Sequence, residues 1–162
     1  MSVTKKVDEY GNIEYRNEEG YFHREDGPAE EWTDGTKFWS LNGGYHREDG
    51  PAVELSDGSK AWFLNGRCHR EDGPAIIRSN GTREWYLDGK RHREDGPAFI
   101  CSDGRKYWWL NGVLYLEEEE WKTEVAKLNK MKAQDMPAQA TQHKCHCEMM
   151  TIMATGCQCG GT

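Results

Sequence analysis

The seven-residue word His-Arg-Glu-Asp-Gly-Pro-Ala occurs four times without a change, starting at His23, His46, His69 and His92. A chain that repeats itself every 23 residues folds as an array of like units, each burying its apolar side chains against its neighbours. The spacers between the words have drifted: Val53-Glu54-Leu55-Ser56 in one unit corresponds to Ile76-Ile77-Arg78-Ser79 and Phe99-Ile100-Cys101-Ser102 in the next two. Recent duplication alone would leave word and spacer equally alike. Four charged or ionisable side chains held constant amid drift therefore point to a use for them.

Aligned on the word, each unit reads Pro-Ala, four variable residues, a first turn dipeptide, Trp-x-Leu, a second turn dipeptide, and the next word. The first set of turns is Asp34-Gly35, Asp57-Gly58, Asn80-Gly81 and Asp103-Gly104; the second is Asn42-Gly43, Asn65-Gly66, Asp88-Gly89 and Asn111-Gly112. Both match the positive-φ preference of tight hairpins, so each unit reads as a short antiparallel hairpin. Side chains alternate along a strand, which puts Trp62 and Leu64 on one face, as it does Trp39/Leu41, Trp85/Leu87 and Trp108/Leu110. These pairs predict a buried tryptophan ladder along the array. At about 4.8 Å per strand, five units of two strands make a ribbon roughly 45–50 Å long. The fold class is mainly β: an elongated antiparallel β-hairpin repeat ribbon with one C-terminal amphipathic helix and a small Cys-rich tail.

The ends of the array depart from the pattern, as terminal repeats do. Residues 1–9 read as a flexible tail and Tyr10 to Gly20 as a worn first unit with Tyr15 and Gly20 in register. The array occupies 10–116, with Val113-Leu114-Tyr115-Leu116 replacing a fifth word. Residues 117–136 predict a capping helix with Trp121, Val125, Leu128 and Met131 or Lys132 on one stripe. Glu117 to Glu120 lie at its positive end, and Pro137 stops it. Residues 137–162 form a linker and a Cys/His-rich module.

Composition narrows the function classes. The chain of 162 residues is 30% charged with net charge -7 and has a mean hydropathy of -0.96, which suits a thin, well-solvated array better than a thick core. Acids and bases are interleaved, with no basic stripe to release counterions from a phosphate backbone, which argues against nucleic acid. The N-terminus lacks the apolar stretch of a signal peptide and no run of apolar residues is long enough to span a bilayer, so the expectation is a soluble, cytoplasmic protein. In that compartment the six cysteines read as thiols or metal ligands and not as disulfides.

The unit Trp39-Ser40-Leu41-Asn42-Gly43-Gly44-Tyr45-His46, with its aromatic, its Gly-x-x-His and a later glycine, resembles the MORN repeat. That family usually continues with His-Gly-x-Gly, so the His-Arg-Glu-Asp-Gly-Pro-Ala word looks like a variant of it, of a kind also met in proteins encoded by tailed phages. The resemblance implies a scaffold that binds proteins. The acidic balance argues against anionic membranes.

Two uses of the word compete. As a corner, its acids accept backbone N–H groups, Arg47 pairs with Glu71 or Asp72 of the next copy, and Gly-Pro turns the chain into the next strand. Exposed ion pairs are worth only about 0–1 kcal/mol each, little reason to keep all four letters. The functional alternative is a multivalent partner-binding surface of His23, Arg24, Glu25 and Asp26; His46, Arg47, Glu48 and Asp49; His69, Arg70, Glu71 and Asp72; and His92, Arg93, Glu94 and Asp95, gaining by avidity. Successive histidines two strands apart are too far to share a metal ion, and four equal copies are the opposite of one convergent catalytic site. The variable aromatics Trp32, Phe63, Tyr86 and Trp109 fall on the other face and are candidate hot spots. In the tail, Cys145, Cys147, Cys157 and Cys159 are candidate ligands for a structural zinc ion.

The reading is a non-enzymatic scaffold that binds another protein, in the phage-like case a host protein, including a defence protein, which it modulates or inhibits. Self-association through open sheet edges is a further possibility. The alternatives are a small-molecule sponge, or metal-dependent chemistry at the Cys/His module.

Overall fold

Turn dipeptides at fixed intervals force the chain to keep reversing. In the computed structural model, which describes residues 2–135, it does so as antiparallel β-structure followed by one helix, Glu118–Asp135. Eleven strands form the main sheet, in chain order and each antiparallel to the last: Val3–Val7, Ile13–Asn17, Glu30–Glu31, Lys37–Phe38, Val53–Glu54, Lys60–Ala61, Ile76–Ile77, Arg83–Glu84, Phe99–Ile100, Lys106–Leu110 and Val113–Tyr115. Three smaller hairpins lie outside it, pairing Ser40–Leu41 with Gly44–Tyr45, Phe63–Leu64 with Arg67–Cys68, and Tyr86–Leu87 with Lys90–Arg91. A central unit thus carries two hairpins where the column plan implied one. The break falls at the tryptophan, where Trp39, Trp62 and Trp85 each donate their N–H at 2.8 Å to the carbonyl of Ala52, Ala75 or Ala98.

The two sets of turns differ in kind. Asn42, Asn65, Asp88 and Asn111 have φ of 48–51° and are followed by glycines that are also at positive φ, the two-residue type I′ hairpin. In the other set only the glycine is left-handed, as at Gly35 (φ 93°), while Gly35 N–H donates to the Trp32 carbonyl and Trp32 N–H to the Thr36 carbonyl. That is a three-residue loop with a glycine bulge. Its aspartate also accepts from the backbone two residues on, Thr36 N–H to Asp34 Oδ1 at 2.8 Å and Ser59 N–H to Asp57 Oδ1 at 2.8 Å.

The interior is thin and its smallest side chain is the most deeply placed. Ala29, Ala52, Ala75 and Ala98, the last letter of each word, are 0% exposed. The tryptophans Trp39, Trp62, Trp85 and Trp108 are half-buried, not sealed inside as the ladder predicted. One ring face of each of the first three is covered instead by a guanidinium, as described below.

Residues 3–7 are a strand and not a flexible tail. Val3–Val7 pairs in full with Ile13–Asn17 across a turn in which Asp8 Oδ1 accepts from the N–H groups of Tyr10 and Asn12. In the worn first unit Tyr15 takes the tryptophan's place, its N–H donating to the Ala29 carbonyl, but the turn at Gly20 is a three-residue loop with one residue more than the later units. The chain divides after Lys122 into two compact units. Within the first, Trp121 is 6% exposed and its indole N–H donates to the Arg93 carbonyl at 3.2 Å. Along the helix Val125 and Leu128 are half-buried while Met131 is 61% exposed, so the predicted stripe ends at Leu128. Three glutamates occupy the first turn and Lys132 the last, the order the helix dipole favours. No described helix is long and apolar enough to cross a membrane.

Because the alanine column has no spare volume, Ala75→Leu should destabilise the array by about 1–3 kcal/mol through overpacking, read as a lower urea midpoint, whereas Leu55→Ala at a 40% exposed position should move it far less.

Candidate functional site

The word is built around its arginine. Arg47, Arg70 and Arg93 each lay their guanidinium 4.1 Å from the ring centre of the tryptophan of their own unit, Trp39, Trp62 and Trp85, and Arg24 does the same over Tyr15. Each also donates from Nε to the aspartate two residues on, at 2.7–2.9 Å, and from Nη1 to the proline carbonyl four residues on, at 3.2–3.3 Å. The predicted pairing of Arg47 with Glu71 or Asp72 is therefore corrected: the partner is Asp49 in its own word, with Glu54 at 3.4 Å. A planar fork with several donors can stack and bond at once, so the ring closes locally before it can reach the next copy.

The glycine of the word makes room for this. A Cβ built on Gly27, Gly50, Gly73 or Gly96 would lie 2.9–3.2 Å from the guanidinium carbon of Arg24, Arg47, Arg70 or Arg93.

The histidine ties one unit to the next. The Nδ1 atoms of His23, His46, His69 and His92 accept the N–H of Asn42, Asn65, Asp88 and Asn111, each 19 residues on, at 3.1–3.2 Å. These acceptors clamp the left-handed residue of each type I′ turn. At His23 and His92 an Nδ1 that accepts leaves Nε2 to carry the proton, whereas at His46 and His69 Nδ1 also lies 3.0 Å from Asn65 Oδ1 and Asp88 Oδ1. In every word Nε2 faces the glutamate, Glu25, Glu48 and Glu71 at 3.7–3.8 Å and Glu94 at 3.1 Å.

The histidine, arginine, aspartate, glycine and alanine of the word thus each have a mechanical task. The histidine and arginine side chains are 5–23% exposed, whereas Glu25, Glu48 and Glu71 and all four aspartates are 81–85% exposed. Only the carboxylates of the proposed surface are presented to solvent.

The second candidate surface is separate. Register places Phe38, Val53, Ala61, Ile76, Glu84, Phe99 and Tyr107 in one cross-strand row, and all of these are variable positions of the unit. Rings run together at its near end, with centroids 5.7 Å apart for Trp32–Phe38 and Phe38–Tyr45 and 5.4 Å for Tyr45–Phe63. A groove of about 460 Å³ opens there, with Phe38, Tyr45, Leu55, Phe63 and Ile76 among its lining. Of the aromatics singled out from sequence, Phe63 lines this groove, Trp32 is 48% exposed beside Phe38, and Tyr86 and Trp109 lie further along.

Tyr86 and Trp109 belong to a polar knot that sequence reading missed. Glu84, 1% exposed, accepts from Arg78 at 2.7 Å on one oxygen and from Arg91 at 2.8 Å and the Tyr86 hydroxyl at 3.1 Å on the other. Arg91 also packs against the rings of Phe99 and Trp109. Burial alone would raise the Glu84 carboxyl, but the bonds from Arg78 and Arg91 outweigh it and hold it below its usual range. The signal was present in the columns: Glu84 stands where the neighbouring units have Ala61 and Tyr107. Nearby Cys68 is pushed up to about 12 by burial and by Glu84, which keeps it a protonated thiol.

Among the described residues no group of three or more His, Cys, Asp or Glu side chains could hold a metal ion. The candidate ligands Cys145, Cys147, Cys157 and Cys159 lie outside the described residues. Compared with known proteins, the chain matches no family model and no curated protein.

Two outcomes follow. Asp26, Asp49, Asp72 and Asp95 are all held below the usual carboxylate range by the arginine of their word. A lowered folded value gives stability that is complete above the unfolded value of about 3.9 and lost as pH falls through the folded one. Glu84 acts in the same sense; Glu30, raised by burial and by Glu14, opposes it. The urea midpoint should therefore drop below about pH 4, and the drop should shrink in Asp49→Asn/Asp72→Asn. Removing the buried carboxylate in Glu84→Ala leaves the half-buried Arg91 without its partner, while Arg78, 53% exposed, returns to water, and should cost about 1–3 kcal/mol, measured by urea unfolding at pH 7.

Proposed function

We propose that this chain is a non-catalytic repeat scaffold that binds another protein through its variable face. The observation that carries this reading is a division of labour: the unvarying histidines and arginines are engaged in holding the array together, while Phe38, Val53, Ala61, Ile76, Phe99 and Tyr107, which differ from unit to unit, line up in one cross-strand row with an aromatic groove at its near end. A framework of that kind fixes backbone geometry and leaves a continuous surface whose chemistry changes step by step, the arrangement repeat proteins use for recognition. The aromatic cluster of Phe38, Tyr45 and Phe63 beside a groove of about 460 Å³ supplies the large, stiff apolar contacts that dominate interface energetics.

The MORN-like and phage-like character of the unit supports a host protein as the partner, with the chain acting as its modulator or inhibitor. The test is capture from bacterial lysate with the partner identified by mass spectrometry and its affinity then measured directly. Tyr45→Ser/Phe63→Ser should lose about 100-fold or more in affinity, two hot spots' worth, with an unchanged circular dichroism spectrum. Full affinity in that folded variant would remove the variable face from the interface. Replacing Arg47, Arg70 and Arg93 by alanine tests stability instead, since those guanidiniums cover the tryptophans.

A further inference from the structure

The word face holds three grooves of closely similar size, about 460, 510 and 530 Å³, one between each pair of successive words. The middle one is representative. Trp62 and Leu64 supply apolar lining, and Glu48 and Asp49 from one word and Glu71 and Asp72 from the next contribute carboxylates. The arginines that also line it are stacked on indoles and bonded to aspartate, so each arginine and its aspartate offset one another and the glutamates carry the excess charge. Each word adds two carboxylates against one guanidinium, and the groove is net negative over an apolar lining.

That combination fits an aliphatic stem ending in a cation, the chemistry of lysine and arginine side chains. The spacing fixes the backbone that would carry them. Two strands per unit at about 4.8 Å put successive grooves about 9.6 Å apart. A polyproline II segment rises about 3.1 Å per residue with three residues per turn, so every third side chain points the same way after about 9.3 Å.

We infer that the word face is a second binding surface, independent of the variable face, for an extended basic segment of polyproline II form with a lysine or arginine at every third residue. Successive cations enter successive grooves. The letters of the word that solvent can reach, the glutamate and aspartate, make the contact, and each unit of the array adds one weak site to the total.

The test uses the full chain and two synthetic peptides of equal composition: five Lys-Pro-Pro triplets, and the same five lysines in one block followed by the prolines. Fluorescence anisotropy at low salt should give the triplet peptide about tenfold tighter binding than the block, weakening steeply as salt is added. Glu25→Gln/Glu48→Gln/Glu71→Gln, which keeps an oxygen acceptor opposite each histidine and leaves the arginine–aspartate bonds in place, should lose about tenfold for the triplet peptide. Equal binding of the two peptides would overturn the spacing argument on the unaltered chain alone. Absent binding, or unchanged affinity in the triple variant with a native circular dichroism spectrum, would overturn the surface itself.

Discussion

The stack of arginine on indole is the contact on which the rest of the array depends. With so little fully buried surface, a large aromatic ring in each unit would be left with one face in water, and a guanidinium is well suited to cover it: flat, weakly hydrated and attracted to the ring. Once the guanidinium lies there, its Nε and Nη1 atoms point at the aspartate and the proline carbonyl of the same short loop, and the glycine between them must have no side chain. The arginine, aspartate and glycine of the word follow from one placement.

A second constraint acts between units. The histidine accepts from the backbone of a left-handed residue in the following turn, so the turn that ends one unit is held by the word of the unit before. Further bonds run in the same direction, as from Gly66 N–H to the Tyr45 carbonyl and Gly89 N–H to the Cys68 carbonyl. Cohesion is therefore local at every step. The sheet needs no thick interior because each unit is braced by its predecessor.

Much of this was legible in the sequence, for physical reasons that also explain what was not. The 23-residue period, the turn dipeptides and the alternation at Trp62 and Leu64 specify antiparallel hairpins, since each acts through local geometry. The split of each unit into two hairpins was hidden because the interruption at the tryptophan comes from a bond to Ala75, a residue 13 positions on that precedes the strand Ile76–Ile77. The strand Val3–Val7 was hidden because it lies outside the repeat. For the candidate surfaces, sequence could not divide the word into anchored and presented letters, nor show that Tyr86 and Trp109 gather around Glu84 and Arg91. Arg47 choosing Asp49 over Asp72 depends on where an indole sits in space.

The forward-running histidine tie has a genetic consequence. Because the word is identical in all four copies, a crossover between any two of them deletes or inserts whole units and leaves a seam with an intact word on both sides. The new neighbour presents the same left-handed turn residue, an asparagine or aspartate, to the same Nδ1, so no compensating change is required. Selection can then adjust the length of the array as a count, lengthening or shortening the surface in whole-unit steps, while point mutation independently rewrites the variable positions within each one.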